Sequence, residues 1–217
     1  MSFRQKLSKA VRWLLHLHYS VETEGLELIR SGGVHLLLPN HPAYVEPALL
    51  FSECWDVTLR PMCDEYLFRK PVIGWAVRLT NAIMVPDLPA TDASHRAQSA
   101  DKARALTDTA LQALTDGCDL VFYPSGHIKL TEKEQIGNRR LAYEVCGRLP
   151  QGVRIIMVRT TGLENSITSR LKTRLCLRRH VKIHCEDMTT ELTTWAQTLE
   201  KRDFNEKLEQ WYNTSEG

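Results

Sequence analysis

The sequence lacks both the cysteine pattern of a metal site and the long apolar run of a membrane span. Its cysteines include no CxxC pair and no Cys/His cluster at zinc-ligand spacing. No segment reaches the roughly 18 consecutive apolar residues of a transmembrane helix. The formal net charge is only +2, and no nucleic-acid-binding motif is present. These absences argue against a metal centre, a membrane-spanning segment and a nucleic-acid partner, and they favour a reduced, cytoplasmic compartment.

Apolar strand-like runs alternate with helical patterns along the chain. The runs at 34–39, 118–124, 153–160 and 180–185 read as strands, and the pattern over 93–116 reads as a helix that stops at Gly117. This alternation predicts an α/β fold with a mixed, largely parallel sheet flanked by helices, and 217 residues fit a single domain over 1–217. Sites in such sheets lie beyond strand ends.

The N-terminal residues 1–18 predict an amphipathic helix. The apolar positions at helical spacing are Phe3, Leu7, Val11 and Leu14, and the basic flanks are Arg4, Lys6, Lys9 and Arg12. Such a helix suits the surface of an anionic membrane, although a helix that packs on a core has the same pattern. Its apolar stretch is too short for a signal peptide, and it carries too many charged residues.

The stretch LLLPNHPAYVEP, 36 to 47, ends an apolar run with a histidine and a carboxylate. On a continuous helix His41 and Glu46 would be about 140° apart, but Pro42 and Pro47 disfavour such a helix. A turn after His41, with a helix starting near Pro47, brings Glu46 back towards the imidazole. A carboxylate on one imidazole nitrogen makes the other a general base for a hydroxyl.

The spacing alone does not establish this pair. Eight histidines and 26 acidic residues make such a pair expected by chance, and His127 with Glu132 fits the same spacing. In the simpler interpretation, His41 is a buried histidine at a strand end and Glu46 is a carboxylate favoured by a helix N-terminus.

Two sequence blocks favour the general-base interpretation of His41 and Glu46 over the simpler one. Residues 40–46, NHPAYVE, resemble the NHxxxxD block of the glycerolipid and lysophospholipid acyltransferases, and residues 122–127, FYPSGH, resemble their FPEG block. Residues 65–75 are similar to the family's middle block, and 153–158 to its last strand, with Met157 in place of proline. The resemblance covers about 20–185 and is greatest to the acyltransferase domain of bacterial 2-acylglycerophosphoethanolamine acyltransferases.

The resemblance implies transfer of a fatty acyl group from a thioester to a lipid hydroxyl at the cytosolic face of a membrane. It makes His41 the base and Glu46 its orienting carboxylate, and it places Asn40, Pro124, Ser125, Gly126 and His127 in substrate binding. It implies no metal and no cofactor, since acyl-carrier protein or acyl-CoA is the donor substrate. The partners it implies are this donor, a lysophospholipid acceptor and, as a candidate, a separate acyl-activating synthetase.

Three departures from the family pattern bear on activity. Glu46 stands where the family usually has Asp, Ser125 stands at the FPEG glutamate, and His127 stands where relatives often have Arg. The alternative prediction is a catalytically weakened relative that binds lipid or acyl-carrier protein.

The acceptor is predicted from charge near the middle block. Phosphatidate-forming relatives end this block with an arginine, whereas this chain has Pro86 and Asp87. A doubly charged phosphate monoester is repelled by Asp87, so a lysophosphodiester is the expected acceptor. Arg139 and Arg140 suit a phosphate or an acidic carrier protein, although an Arg pair is more often a solvated surface.

Overall fold

The computed structural model describes residues 3–85, 93–171 and 178–214. Within these ranges the strands are β1 (Tyr19–Glu24), β2 (Val34–Pro39), β3 (Leu59–Asp64), β4 (Ile83–Val85), β5 (Asp119–Val121), β6 (Val153–Thr161) and β7 (Arg179–Asp187). The helices are α1 (Phe3–His16), α2 (Glu27–Arg30), α3 (Glu46–Glu53), α4 (Glu65–Phe68), α5 (Pro71–Leu79), α6 (Ala93–Thr115), α7 (Leu141–Gly147), α8 (Thr189–Thr198) and α9 (Lys201–Asn213).

The strands of the described residues form one seven-stranded sheet in the order β1-β7-β6-β2-β5-β3-β4. Neighbours pair in parallel across the sheet except β6 and β7, which are antiparallel. Five strands therefore run one way, and β7 with the edge strand β1 runs the other. The predicted mixed, largely parallel sheet flanked by helices is confirmed.

Apolar residues cover both faces of the sheet, as parallel strands require. Along β2, Leu36 and Leu38 pack in a core that includes Phe204 of α9, whereas Leu37 packs on the opposite face against Leu49 and other residues. All three leucines are fully buried. The continuous apolar run that predicted β2 follows from this burial on both faces.

The predicted elements differ from the observed ones in a few places. The strand expected at 118–124 is limited to β5, since the chain leaves the sheet after Val121. β1, β3 and β4 were not predicted, because their sequences are short or mix polar residues and proline with apolar ones. The polar residues 131–140 form no helix, and Glu134 and Ile136 within them are buried.

The N-terminal helix was expected over 1–18 and is observed as α1, ending at His16. One side of it is fixed to α3, since Arg12 and His16 both contact the buried Glu53 carboxylate at 2.9 and 2.6 Å. Another side presents large apolar side chains to solvent, and these are Phe3, Trp13, Leu14 and, just after the helix, Leu17. The helix is thus both a packing helix and the carrier of an exposed apolar stripe.

None of the helices in the described ranges has the length and hydrophobicity needed to cross a bilayer. The cysteines within these ranges, Cys54, Cys63, Cys118, Cys146 and Cys185, are free thiols.

Candidate functional site

The two sequence blocks meet at the carboxyl ends of neighbouring strands. β2 and β5 pair in parallel, with Leu37 opposite Val121. The chain leaves both strands at the same edge of the sheet, where their carboxyl ends meet, so His41 and Tyr123 lie next to each other. The backbone N–H of Lys129, beyond the second block, donates to the His41 carbonyl at 2.9 Å and joins the two loops.

His41 and Glu46 are brought together by the predicted turn. α3 begins at Glu46, with Pro47 in its first turn, so the chain reverses between the two residues. The distance from His41 Nδ1 to Glu46 Oε2 is 3.7 Å, which is within ion-pairing distance but beyond hydrogen-bonding distance. Glu46 is fully buried, while the His41 side chain retains 17% exposure. Neither facing atom has a hydrogen-bond partner among the described residues.

Burial disfavours charge on both members of this pair. It lowers the pKa of His41 to about 4, and electrostatic interactions with His127 and Arg170 act in the same direction. It raises the pKa of Glu46 to about 8, an effect that Glu134 increases and that Tyr123 and Thr160 oppose. His41 is therefore neutral at physiological pH, with one ring nitrogen available to accept a proton.

Tyr123 contributes to the site although the sequence analysis did not select it. Its ring stacks on His41, with centroids 4.3 Å apart and planes inclined by 30°. The hydroxyl lies near Glu46, and this contact lowers the Glu46 pKa against the larger effect of burial. Burial, followed by the Glu46 charge, holds the pKa of Tyr123 well above its usual range. Tyr123 therefore packs on the face of the imidazole and fixes its plane.

Asn40 and Ser125 lie behind the site. The Asn40 side-chain amide donates to the Thr160 carbonyl at 2.9 Å and accepts the Thr160 N–H at 2.7 Å, which ties the end of β2 to β6. The buried Ser125 hydroxyl donates to the His127 carbonyl at 3.1 Å. Both side chains support the loops around His41, and their contact with substrate stays a prediction.

Pro124, Gly126 and His127 line the open cleft beside His41. Gly126 has φ of +63°, a conformation that favours glycine, so its turn role is structural. The Arg139 guanidinium lies beside this glycine, and its atoms are 3.6 to 3.9 Å from the position of an added Cβ, which is ordinary van der Waals contact.

The cleft in front of His41 has a volume of about 1310 Å³. Its walls come from α3, β3, α5 and α6, where the apolar lining residues include Phe51, Met62, Val77 and Leu106. Its charged lining residues carry an excess of positive charge, and they are Arg104, Arg139, Arg140, Arg148 and Arg170 together with Asp64, Asp108 and Glu144. An apolar cavity with a cationic rim is suited to an amphiphile that has one long hydrocarbon chain and an anionic group.

The rim arginines differ in their partners. Arg140 and Arg148 form ion pairs with Glu144 and Asp108. Arg170 instead donates to the Tyr44 hydroxyl, at 3.1 and 3.2 Å, and its charge acts on His41. Arg170 is therefore a further candidate binding residue, and it could be located only in the structure because its loop lies far along the chain.

The alternative pair of His127 and Glu132 can be examined in the structure, whereas the residue behind the acceptor prediction cannot. Glu132 is exposed, and within the described ranges no ion pair joins it to His127. Asp87, on which the acceptor prediction depends, lies outside the described residues. No three His, Cys, Asp or Glu side chains converge in the described part of the chain as a metal site requires.

Comparison with known proteins identifies one family. The family model described as Acyltransferase matches residues 20–165. Among solved structures, the chain is similar to the 1-acyl-sn-glycerophosphate (LPA) acyltransferase PlsC from Thermotoga maritima, with 20% sequence identity and a TM-score of 0.59. The alignment covers 98% of this chain and 80% of that one. No curated protein matches the chain.

Proposed function

The chain belongs to the acyltransferase family, and on this premise we propose that it transfers a fatty acyl group from a thioester to the hydroxyl of a lysophospholipid. The observation that supports this most directly is the placement of His41. Its imidazole is neutral, stands 3.7 Å from the Glu46 carboxylate and faces an apolar cleft with a basic rim.

The proposed reaction starts with the acceptor hydroxyl at His41 Nε2. The hydroxyl oxygen attacks the thioester carbonyl carbon while its proton passes to the imidazole, giving a tetrahedral intermediate. The carbon–sulfur bond then breaks, and the thiolate leaves and takes the proton back from His41. No bond forms between the acyl group and the protein.

Glu46 stabilises the imidazolium that forms during this step. A shortening of the 3.7 Å separation by about 0.8 Å gives a hydrogen bond of ordinary length between Nδ1–H and the carboxylate. Burial raises the Glu46 pKa to about 8, and the positive charge that His41 gains lowers it again, so the ionised carboxylate is the form that supports the reaction. Tyr123 keeps the ring plane fixed during the proton transfer, since its ring stacks on the imidazole.

The cleft has an apolar region for a hydrocarbon chain and a charged region for the acceptor's phosphate. The hydrocarbon chain fits the apolar walls, and the acceptor's phosphate fits beside Arg170 and His127, close to the base. In this proposal a lysophosphodiester is preferred over a phosphate monoester, because Asp87 replaces the family's arginine. Competition between lysophosphatidylethanolamine and lysophosphatidate, at equal concentration, tests this preference, and a higher kcat/KM for lysophosphatidate contradicts it.

The donor is proposed to be acyl-carrier protein or acyl-CoA. Exposed arginines on the cleft rim, among them Arg139 and Arg140, suit the acidic surface of a carrier protein or the phosphates of CoA. If the donor is acyl-carrier protein, a separate synthetase loads the acyl group onto it.

The enzyme is proposed to act at the cytosolic face of a membrane. The supporting feature is the apolar stripe of α1, in which Trp13 and Phe3 are about two-thirds exposed at 67% and 66%. Exposed aromatic and aliphatic side chains on a basic amphipathic helix suit the lipid interface.

A binding protein without turnover is the second candidate, and Ser125 favours it, since this chain has no carboxylate at the FPEG position. Incubation of purified protein with labelled acyl-carrier protein or acyl-CoA and a panel of lysolipids separates the two. Acyl transfer to a lysolipid supports the enzyme. Retention of lipid or carrier with no transfer from either donor supports the binding protein.

A further inference from the structure

The polar loop after the second block, residues 134–139, is held by one face of the C-terminal helix α9. Asn205, Glu209 and Asn213 follow one another at intervals of four residues, so they lie on the same face of this helix and form a polar stripe. The apolar side of α9 is buried in the core against the sheet, which fixes the helix in place. The α9 stripe is therefore a firm support for the loop that runs along it.

Two residues of the α9 stripe bind the main chain at the start of the loop. Asn213 accepts the Glu134 N–H at 2.8 Å and donates to the Glu134 carbonyl at 3.0 Å. The Glu209 carboxylate accepts the N–H groups of Ile136 and Gly137 at 2.6 and 2.9 Å. A loop outside the sheet needs partners of this kind, because buried main-chain groups are costly when they are left unpaired.

The third residue of the stripe holds the end of the loop. The Asn205 side-chain amide, which is only 2% exposed, donates to the carbonyls of Gly137 and Arg139 at 2.8 and 2.9 Å. One turn earlier on α9, the Lys201 ammonium contacts the Asn138 side chain. The main chain of the loop is thus fixed along its length as far as Arg139.

The Arg139 side chain extends from this fixed main chain into the cleft. It lines the cleft, and its guanidinium lies beside Gly126 of the second block. Within the described ranges this side chain forms no ion pair or hydrogen bond, whereas its neighbour Arg140 pairs with Glu144. A guanidinium without an acidic partner offers its whole charge and its planar set of donors to a bound anion.

We propose that the α9 stripe positions Arg139 so that its guanidinium binds a phosphate group of a substrate in the cleft. Arg139 is the residue that contacts the anion. The three stripe residues act through it, since none of them lines the cleft. The fork of guanidinium N–H groups matches the oxygens of a phosphate, which both a lysophospholipid acceptor and a CoA or carrier-protein donor provide. This inference rests on the proposed function, in which the cleft binds these substrates.

The test compares Glu209→Leu with the matched control Glu206→Leu, which makes the same change at an exposed position of α9. Glu209→Gln is the conservative variant, since it keeps an oxygen that can accept the two loop N–H groups. Arg139→Gln removes the proposed phosphate contact, and Arg139→Gln/Glu209→Leu combines the two changes. Asn205→Leu replaces Glu209→Leu if the latter does not fold.

Initial rates of acyl transfer give kcat and a separate KM for lysophosphatidylethanolamine, acyl-CoA and acyl-carrier protein. The KM that responds identifies whether the phosphate belongs to the acceptor or to the donor. Isothermal titration calorimetry with CoA, and with lysophosphatidylethanolamine below its micelle concentration, measures binding without turnover.

Arg139→Gln is expected to raise the KM of the donor or of the acceptor by about tenfold, since the lost contact is a hydrogen bond to a charged group. Glu209→Leu should raise the same KM at least about threefold, because substrate binding must then order a released loop. It should change kcat by less than about twofold, since the reacting atoms are not touched. Glu209→Gln should recover most of the affinity, and Glu206→Leu should behave as wild type. The double variant should have the KM of Arg139→Gln, because both changes remove the same contact.

Wild-type KM values for all three substrates in Arg139→Gln overturn its role in phosphate binding. The positioning role is overturned by a wild-type KM in Glu209→Leu, by a KM effect that multiplies with that of Arg139→Gln, or by the same effect in Glu206→Leu. If the wild type transfers no acyl group, yet Arg139→Gln and Glu209→Leu both weaken binding of CoA or of the lysolipid, the proposed function fails while this inference stands.

Discussion

The His41 imidazole stacks on the Tyr123 ring, with ring centroids 4.3 Å apart. The first ring comes from the loop after β2 and the second from the chain leaving β5, so this contact joins the two sequence blocks directly. Both loops are held at the same edge of the sheet because β2 and β5 are neighbouring parallel strands. His41, the proposed base, is therefore positioned by a ring on its face, a carboxylate at its edge and a hydrogen bond to its main-chain carbonyl.

Tyr123→Phe tests the hydroxyl apart from the stack. The phenyl ring keeps its contact with His41, but Glu46 loses a neighbour that lowers its pKa. The Glu46 pKa therefore rises, and we expect the pH profile of kcat/KM to shift to higher pH with a severalfold loss of rate at neutral pH. Tyr123→Leu, which removes the stack as well, should cost more. A profile identical to wild type in Tyr123→Phe would show that the hydroxyl does not act on Glu46.

The substitution Glu46→Gln should change how the stability of the protein depends on pH, and this can be measured without an activity assay. The pKa of Glu46 is raised from 4.5 to about 8, so between these values the folded state holds a proton that the unfolded state has lost, and stability falls as pH rises. The lowered His41 pKa has the opposite effect, but only between about 4 and 6.5.

Between pH 6.5 and 8 the wild type should therefore lose stability relative to Glu46→Gln, by up to about 1.4 kcal/mol per pH unit. Denaturant unfolding at several pH values measures this difference. A difference between wild type and Glu46→Gln that does not change with pH over this window contradicts a raised Glu46 pKa. In the transfer assay the same variant should be slower than wild type, since Gln cannot stabilise the imidazolium.

Much of the fold and part of the site could be predicted from the sequence because the signals are local. The apolar run of β2 and the proline-flanked turn between His41 and Glu46 depend on residues close in the chain. Glu134 could not be found in this way, because its burial depends on Asn213 and Glu209 of α9, more than 70 residues away. A polar loop sequence looks the same whether its carboxylate is solvated or covered by a distant helix.

Arg170 was missed for the same reason, and its role in binding can be tested directly. Arg170→Gln should raise the KM for a lysophospholipid by about tenfold with a smaller effect on kcat, since the lost contact is with the phosphate rather than the reacting atoms. Arg202→Gln, on the exposed surface of α9, is the control. An acceptor KM equal to that of the control would remove Arg170 from the binding site.

The exposed stripe of α1 predicts association with lipid. Trp13→Ser/Leu17→Ser should reduce co-sedimentation with anionic vesicles without unfolding the protein, because both side chains are more than half exposed. Binding of the wild type should also fall as salt is added, since basic residues flank the stripe. Deletion of residues 1–18 should have the larger effect. Unchanged co-sedimentation of the folded double variant would leave α1 with a packing role only.

The most direct test of the account is the rate of acyl transfer by His41→Ala at saturating donor and acceptor. General-base catalysis contributes about 10² to 10⁴-fold, so we expect a loss of this size with the fold intact by circular dichroism. His180→Ala is the matched control, since this exposed histidine lies on β7 and pairs with Glu22 of β1. The account predicts a wild-type rate for His180→Ala and almost none for His41→Ala. A wild-type rate for folded His41→Ala would contradict the assignment of His41 as the base.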